Sequence, residues 1–213
     1  MSVPAANEQW QNDPDVQLML KVRDGDAFAF EELMTRNQSR VLTLLQSMVG
    51  SREQAEDLTQ EVFLRVYKAR MNYQPEAQFS TWLYRIVHNL ALNSLRMKHR
   101  RPELLFSGAS AGTDPASSSA FSVEETFPEK SSLMPTRQVA RNELQAVVRR
   151  AIDGLGERQR MAIILHRFEG MSYEQIAQVM EMSPKAIKSL LCRARVSLKE
   201  ALRPYMEEGR NPS

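Results

Sequence analysis

Cysteine is nearly absent: Cys192 stands alone in 213 residues. One Cys excludes a disulfide scaffold, and with His88, His99 and His166 so far apart it argues against a zinc finger or ribbon. Glycine is scarce, at 8. No stretch alternates apolar and polar residues for long enough to argue a sheet. There is no Gly-rich phosphate loop, no paired His with a carboxylate at metal spacing and no nucleophile elbow. Catalysis by this chain alone is therefore not expected, and neither is a metal or cofactor. No apolar run approaches the roughly 18 residues of a membrane span. The first fifteen residues carry no Lys or Arg and no apolar core, unlike a secretory signal. The expected compartment is a reducing cytoplasm.

Helical periodicity and uneven charge are present instead. Apolar positions recur at helical spacing over 16–100 and again over 139–205. The fold class expected is all-α: two helical domains joined by a flexible linker. The tails are 1–15 and 206–213, the domains 16–102 and 139–205, and the linker 103–138. The linker carries eight Ser and five acids against two bases. Such a composition buries too little to offset its ordering entropy. Net charge is only +2, yet residues 77–102 hold five bases and no acid, and 139–213 hold thirteen bases against nine acids. A polyanion would bind at these two positive blocks.

Four helices are expected in the first domain. One runs near Asp13–Arg23. Asp26 can cap a second from Ala27 to Gln46 or beyond. Ser51 with Gln54 reads as a capping box for a third, Arg52 to about Arg70. After a loop at 71–78, Ser80 or Thr81 starts a fourth that reaches about His99, with Pro102 marking its end. On the third helix, Ala55, Leu58, Val62 and Val66 form the apolar face. Asp57, Gln60, Glu61, Leu64 and Lys68 gather opposite. Leu64 is an aliphatic amid charges, and periodicity alone reads this side as a solvated face.

On the fourth helix, Phe79, Trp82, Leu83, Ile86, Val87, Leu90 and Met97 fall in a core arc. Arg85, Asn89, Arg96 and Arg100 lie on the other side, flanked by His88, Leu92 and His99. Arg neutralises phosphates, and Asn can donate to and accept from a base edge. Tyr73, in the preceding loop, could stack on an unpaired base or serve as a plain core aromatic.

In the second domain, the segment from Leu155 leads a helix that Gly170 ends. Ser172 with Gln175 is a capping box for a short helix, Tyr173–Met180. Glu181-Met182-Ser183 forms a turn. Ser183 caps another helix that opens with Pro184, a residue suited to the first helical position. Ile176, Ala177, Met180, Ile187 and Leu191 supply buried contacts. This is a helix-turn-helix pattern. Lys185, Lys188, Ser189, Cys192 and Arg193 share the outward face, as a recognition helix in a major groove requires. Cys192 could touch a thymine methyl, act as a redox-sensitive thiol, or simply fill space.

These residues resemble a known family. Asp57-Leu58-Thr59-Gln60-Glu61-Val62-Phe63-Leu64 is similar to region 2.2 of bacterial sigma-70 superfamily sigma factors. Phe79-Ser80-Thr81-Trp82-Leu83-Tyr84-Arg85-Ile86, with Asn89, resembles regions 2.3 and 2.4. Ser172-Tyr173-Glu174-Gln175-Ile176-Ala177 and the helix ending in Arg193-Ala194-Arg195 resemble region 4.2. The chain looks most like the small extracytoplasmic-function (ECF) group, of sigma-E type. The resemblance implies that Asp57, Gln60, Glu61 and Leu64 dock on the β′ clamp helices of core RNA polymerase. It implies that Tyr73, Arg85, Ile86, Asn89 and Asn93 engage the −10 element of promoter DNA, with one non-template base flipped into a pocket. Arg96 and Arg100 extend that strip. Lys185, Lys188, Ser189, Cys192 and Arg193 would read the −35 element, and the 158–168 helix would meet the β flap. An anti-sigma factor is the further partner implied, in a stress response. The chain departs from the family at Glu181, usually Gly, at Lys185-Ala186-Ile187, usually Gly-Thr-Val, and at Leu190, often Arg. The alternative is a stand-alone helix-turn-helix regulator. It would need a dimer interface, and no leucine-rich heptad seam is present.

Overall fold

The computed structural model describes residue 10, residues 12–100 and residues 135–208. The side chains of 99, 100, 135–143 and 206–208 lie outside that description. All regular elements among the described residues are helical. They run α1 Pro14–Arg23, α2 Ala27–Val49, α3 Arg52–Ala69, α4 Phe79–Arg100, α5 Pro135–Asp153, α6 Glu157–Arg167, α7 Tyr173–Met180 and α8 Pro184–Glu208. A 3₁₀ turn at Arg70–Asn72 follows α3. Packing divides the chain into two compact units, one centred on α1–α4 and the other on α5–α8. Most of the linker expected over 103–138 lies outside the described residues. Its last four residues are corrected to helix, because α5 already starts at Pro135, whose fixed φ and missing N–H suit a first helical position.

In the first unit α2 packs against α1, α3 and α4. The helix starts are set by side-chain oxygens. Asp26 Oδ1 accepts from the Phe28 and Ala29 amides at 2.9 and 3.1 Å. Ser51 Oγ accepts from the Gln54 amide at 3.3 Å. The reciprocal half of that expected capping box is not made. Gln54 Nε2 donates to Ser94 Oγ on α4 instead, at 2.7 Å. Gly50 ends α2 in the left-handed region, φ 78°, where a residue without Cβ costs least.

In the second unit α8 packs on α5 and α6. Both halves of the Ser172–Gln175 box are present: Ser172 N–H donates to Gln175 Oε1 at 2.8 Å, and Gln175 N–H to Ser172 Oγ at 3.2 Å. Ser183 Oγ accepts from the Ala186 amide at 3.2 Å. His166 Nδ1 lies 3.0 Å from the Met171 carbonyl. A carbonyl only accepts, so that nitrogen carries the proton. His166 thereby ties the end of α6 to the entry of α7.

Glu181 closes α7 at φ 54°, and among the described residues no other non-glycine has a positive φ. The left-handed region costs an L-residue roughly 1–2 kcal/mol. Gly loses about 0.5–1 kcal/mol more than Ala in chain entropy on folding. Glu181→Gly is therefore expected to stabilise the second unit by about 0.5–1 kcal/mol, read as a higher melting temperature. A lower one would show that the Glu181 side chain contributes more than its backbone costs.

Candidate nucleic-acid interface

Helix α4 presents a continuous polar side. Arg85, Asn89, Asn93 and Arg96 are all exposed, over 11 residues or about 16 Å of axis. Ile86 is half-buried at the edge of this strip. Phe79, Leu83, Val87 and Leu90 are buried on the reverse face. The Arg100 side chain lies outside the described residues. Two neighbours differ from expectation. His88 is buried rather than flanking the strip. Met97, assigned to the core arc, is 64% exposed. Arg96, Met97 and Lys98 are all exposed, so α4 has run past the surface it packs on, and periodicity no longer signals burial.

Tyr73 is corrected from a base-stacking position to a core position: only 3% of it is exposed. Its ring packs edge-on against Trp82 at 5.0 Å and Phe79 at 6.3 Å. An aromatic with both neighbours in place has no face left for a base. It braces the 71–78 loop against the start of α4. Its hydroxyl is buried without a hydrogen-bond partner. Burial pushes the phenol well above the ordinary tyrosine range, and the charges of Asp13 and Asp15 push the same way. The folded chain thus holds this proton more tightly than the unfolded chain. Stability from this group is complete below pH ~10 and is lost as pH rises beyond it. Tyr73→Phe removes an unsatisfied buried hydroxyl, so it is expected to raise stability at neutral pH by about 1 kcal/mol. It should also flatten the alkaline loss. Thermal melts of both proteins from pH 7 to 11 check both effects, and a less stable variant contradicts them.

Helix α3 carries the second face. Asp57, Gln60 and Leu64 are exposed, and Glu61 is half-buried. Glu61 pairs with Arg65 at 2.7 Å, a surface pair of small worth. Leu64 is 46% exposed, and the apolar line continues through the exposed Tyr67 and Met71. Tyr67 packs its ring at 5.1 Å from Phe30, and the Arg70 guanidinium covers it at 3.9 Å. Leu64 and Tyr67 share one face of α3 at i, i+3, and Met71 follows in the 3₁₀ turn after it.

Helix α8 carries the third. Lys185, Lys188, Ser189, Cys192 and Arg193 are all exposed. Ile187, Leu191 and Ala194 are buried beneath them, with Ile176 and Ala177 of α7. From Lys185 to Arg193 is 8 residues, or about 12 Å, which matches the width of a B-DNA major groove. Arg195 reaches the Tyr173 hydroxyl at 3.4 Å, away from that face. Among the described residues no helix is long and apolar enough to cross a membrane.

Comparison with known proteins places these faces in a family. The Sigma-70 region 2 family matches residues 33–101, and the Sigma-70, region 4 family matches 145–198. RNA polymerase sigma-H factor of Pseudomonas aeruginosa is 36% identical over 91% of this chain and 96% of its own length. ECF RNA polymerase sigma-E factor of Escherichia coli K12 is 34% identical over 90% of this chain and 96% of its own length. The solved structure of the sigma factor RpoE from Bartonella quintana, in complex with the anti-sigma factor NepR, has a similar fold. It superposes with a TM-score of 0.58 and 22% identity, covering 82% of this chain and 96% of that one. With both sigma regions matched in order and full-length relatives above 30% identity, this chain belongs to the sigma-70 family of RNA polymerase sigma factors, in its extracytoplasmic-function group.

Proposed function

We propose that this sigma factor uses its three exposed faces for three separate tasks in transcription initiation. Residues 16–102 serve as region 2, and 139–205 as region 4. The α3 face of Asp57, Gln60, Glu61 and Leu64, prolonged by Tyr67 and Met71, docks on the β′ clamp helices of core RNA polymerase. The α4 strip of Arg85, Ile86, Asn89, Asn93, Arg96 and Arg100 engages the −10 element. The α8 face of Lys185, Lys188, Ser189, Cys192 and Arg193 lies in the major groove of the −35 element. The α6 segment, 158–168, meets the β flap. The observation that carries this reading is the α4 strip, four exposed Arg and Asn side chains in a segment that contains no acid.

Melting follows from binding. The protein consumes no fuel and makes or breaks no bond; core polymerase performs the chemistry. An unpaired −10 strand offers base faces and edges that the duplex hides. Whichever promoter state is bound better accumulates, so capture of the single strand shifts the population towards the open form. This takes place in the cytoplasm, alongside core polymerase. An anti-sigma factor that covers α3 or α4 would silence the protein, and the solved Bartonella relative pairs with such a factor.

Transcription in vitro with core polymerase, with and without this protein, on pooled genomic fragments of its host tests the reading. New, specific start sites are expected, and aligning the sequences upstream of them yields both promoter elements. Active polymerase that makes no new transcript with folded protein would favour a stand-alone DNA-binding regulator.

A further inference from the structure

The amino end of α4 receives an acceptor from the other end of the unit's chain. Asp13 Oδ1 accepts from the Asp15 amide at 3.0 Å, closing α1. Asp13 Oδ2 accepts from the Phe79 amide at 3.1 Å, across 66 residues of chain. One carboxylate therefore satisfies orphan donors on two helices, and its charge faces the positive end of both dipoles. The support beneath it is rigid. Asp15 pairs with Arg36 of α2 at 2.8 Å and accepts from Asn37 Nδ2 at 3.1 Å. Asn37 is buried and also donates to the Leu33 carbonyl at 3.0 Å. The first turn of α1 is thus fixed to the middle of α2, and Asp13 is presented to α4 from a fixed place. Phe79 and Tyr73 complete the joint from the apolar side.

We infer that Asp13 is a positioning residue for the −10 strip: its carboxylate holds the first turn of α4 and the 71–78 loop before it in the geometry that captures the melted strand. The inference rests on the −10 reading of α4 proposed above. Asp13 touches no DNA in this scheme. It acts through the Phe79 amide and sets where Arg85, two turns further on, is aimed.

Asp13→Ser separates the two caps. Ser is a good cap for its own helix, so α1 keeps its start, but a Ser hydroxyl is too short to reach Phe79. The probe is the single-stranded non-template −10 oligonucleotide of a promoter mapped by the transcription assay. Its binding is measured on holoenzyme assembled from the full-length variant, and core affinity is measured in parallel. We expect strand binding about tenfold weaker, or about 1.4 kcal/mol, with core affinity unchanged. Amide exchange should speed up at 79–81 and stay slow in α1. Ser51→Ala removes a cap of the same kind from α3 and serves as the control for a purely structural loss. It should leave strand binding at the wild-type level. Wild-type strand binding by Asp13→Ser, or equal losses in the two variants, overturns the inference. Failure of the wild-type holoenzyme to bind the oligonucleotide would instead overturn the −10 reading itself.

Discussion

Leu64→Asp is expected to abolish assembly with core polymerase while leaving the first unit folded. Leu64 is exposed on α3, so the substitution removes no core packing, and surface changes of this kind stay within about 0.5 kcal/mol of stability. At an interface the balance differs. An aliphatic anchor flanked by Gln60, Tyr67 and Met71 gains its energy by leaving water on docking. Central anchors of that sort cost at least ~2 kcal/mol when truncated, roughly 30-fold in affinity. A carboxylate in the same place adds a desolvation penalty on docking that an exposed pairing with Lys68, four residues on, offsets only in part, while Arg65 is already engaged by Glu61 at 2.7 Å. Competition with labelled wild-type protein for core polymerase, beside a thermal melt, checks both halves. Wild-type affinity would remove this face from the docking surface.

The second large effect is expected beneath the recognition helix. Leu191 is fully buried on the underside of α8, as are Ile187 on the same helix and Ile176 of α7. Leu191→Ala leaves a cavity that close-packed neighbours fill only in part, at a cost of about 2–5 kcal/mol. A unit of this size has only ~5–15 kcal/mol in total. Its melting temperature should fall by at least ~8 °C, and −35 binding should fall with it, since Lys188 and Cys192 ride on the other side of the same turn. Lys188→Ala is the matching control: it should weaken DNA binding without moving the melt. A small shift for Leu191→Ala would mean that α7 and α8 re-close over the gap.

The helix-turn-helix was legible in the sequence because its signals are local. Ser172 with Gln175, Ser183 with Pro184, and the alternation of Ile187 and Leu191 against Lys188 and Cys192 each act within a few residues. No distant contact was needed to read them. What escaped depends on which element arrives from elsewhere. Gln54 had an amide to cap nearby, yet it bonds to Ser94 across the bundle. Tyr73 sits in a loop that periodicity cannot orient, and only the folded chain shows Phe79 and Trp82 covering its ring. Met97 is in phase with the core arc but lies beyond the surface that would cover it. The α4 start was expected from Ser80 or Thr81, and a carboxylate from the opposite end of the unit provides it. Periodicity identifies a helix face; it does not identify the neighbour that meets that face.

The joint between Asp13 and Phe79 also bears on the order of events during synthesis. The two groups are separated by 66 residues, which a ribosome adds in roughly 3–13 s at 5–20 residues per second. For that interval α1, only 10 residues long and too short to persist alone as a helix, can lean on α2 but lacks its joint with α4. The unit closes only when its last helix emerges and returns to its first residues. A nascent chain halted before residue 79 should therefore be cut within α1 more readily than one released just beyond α4, although α2 is already there to pack on.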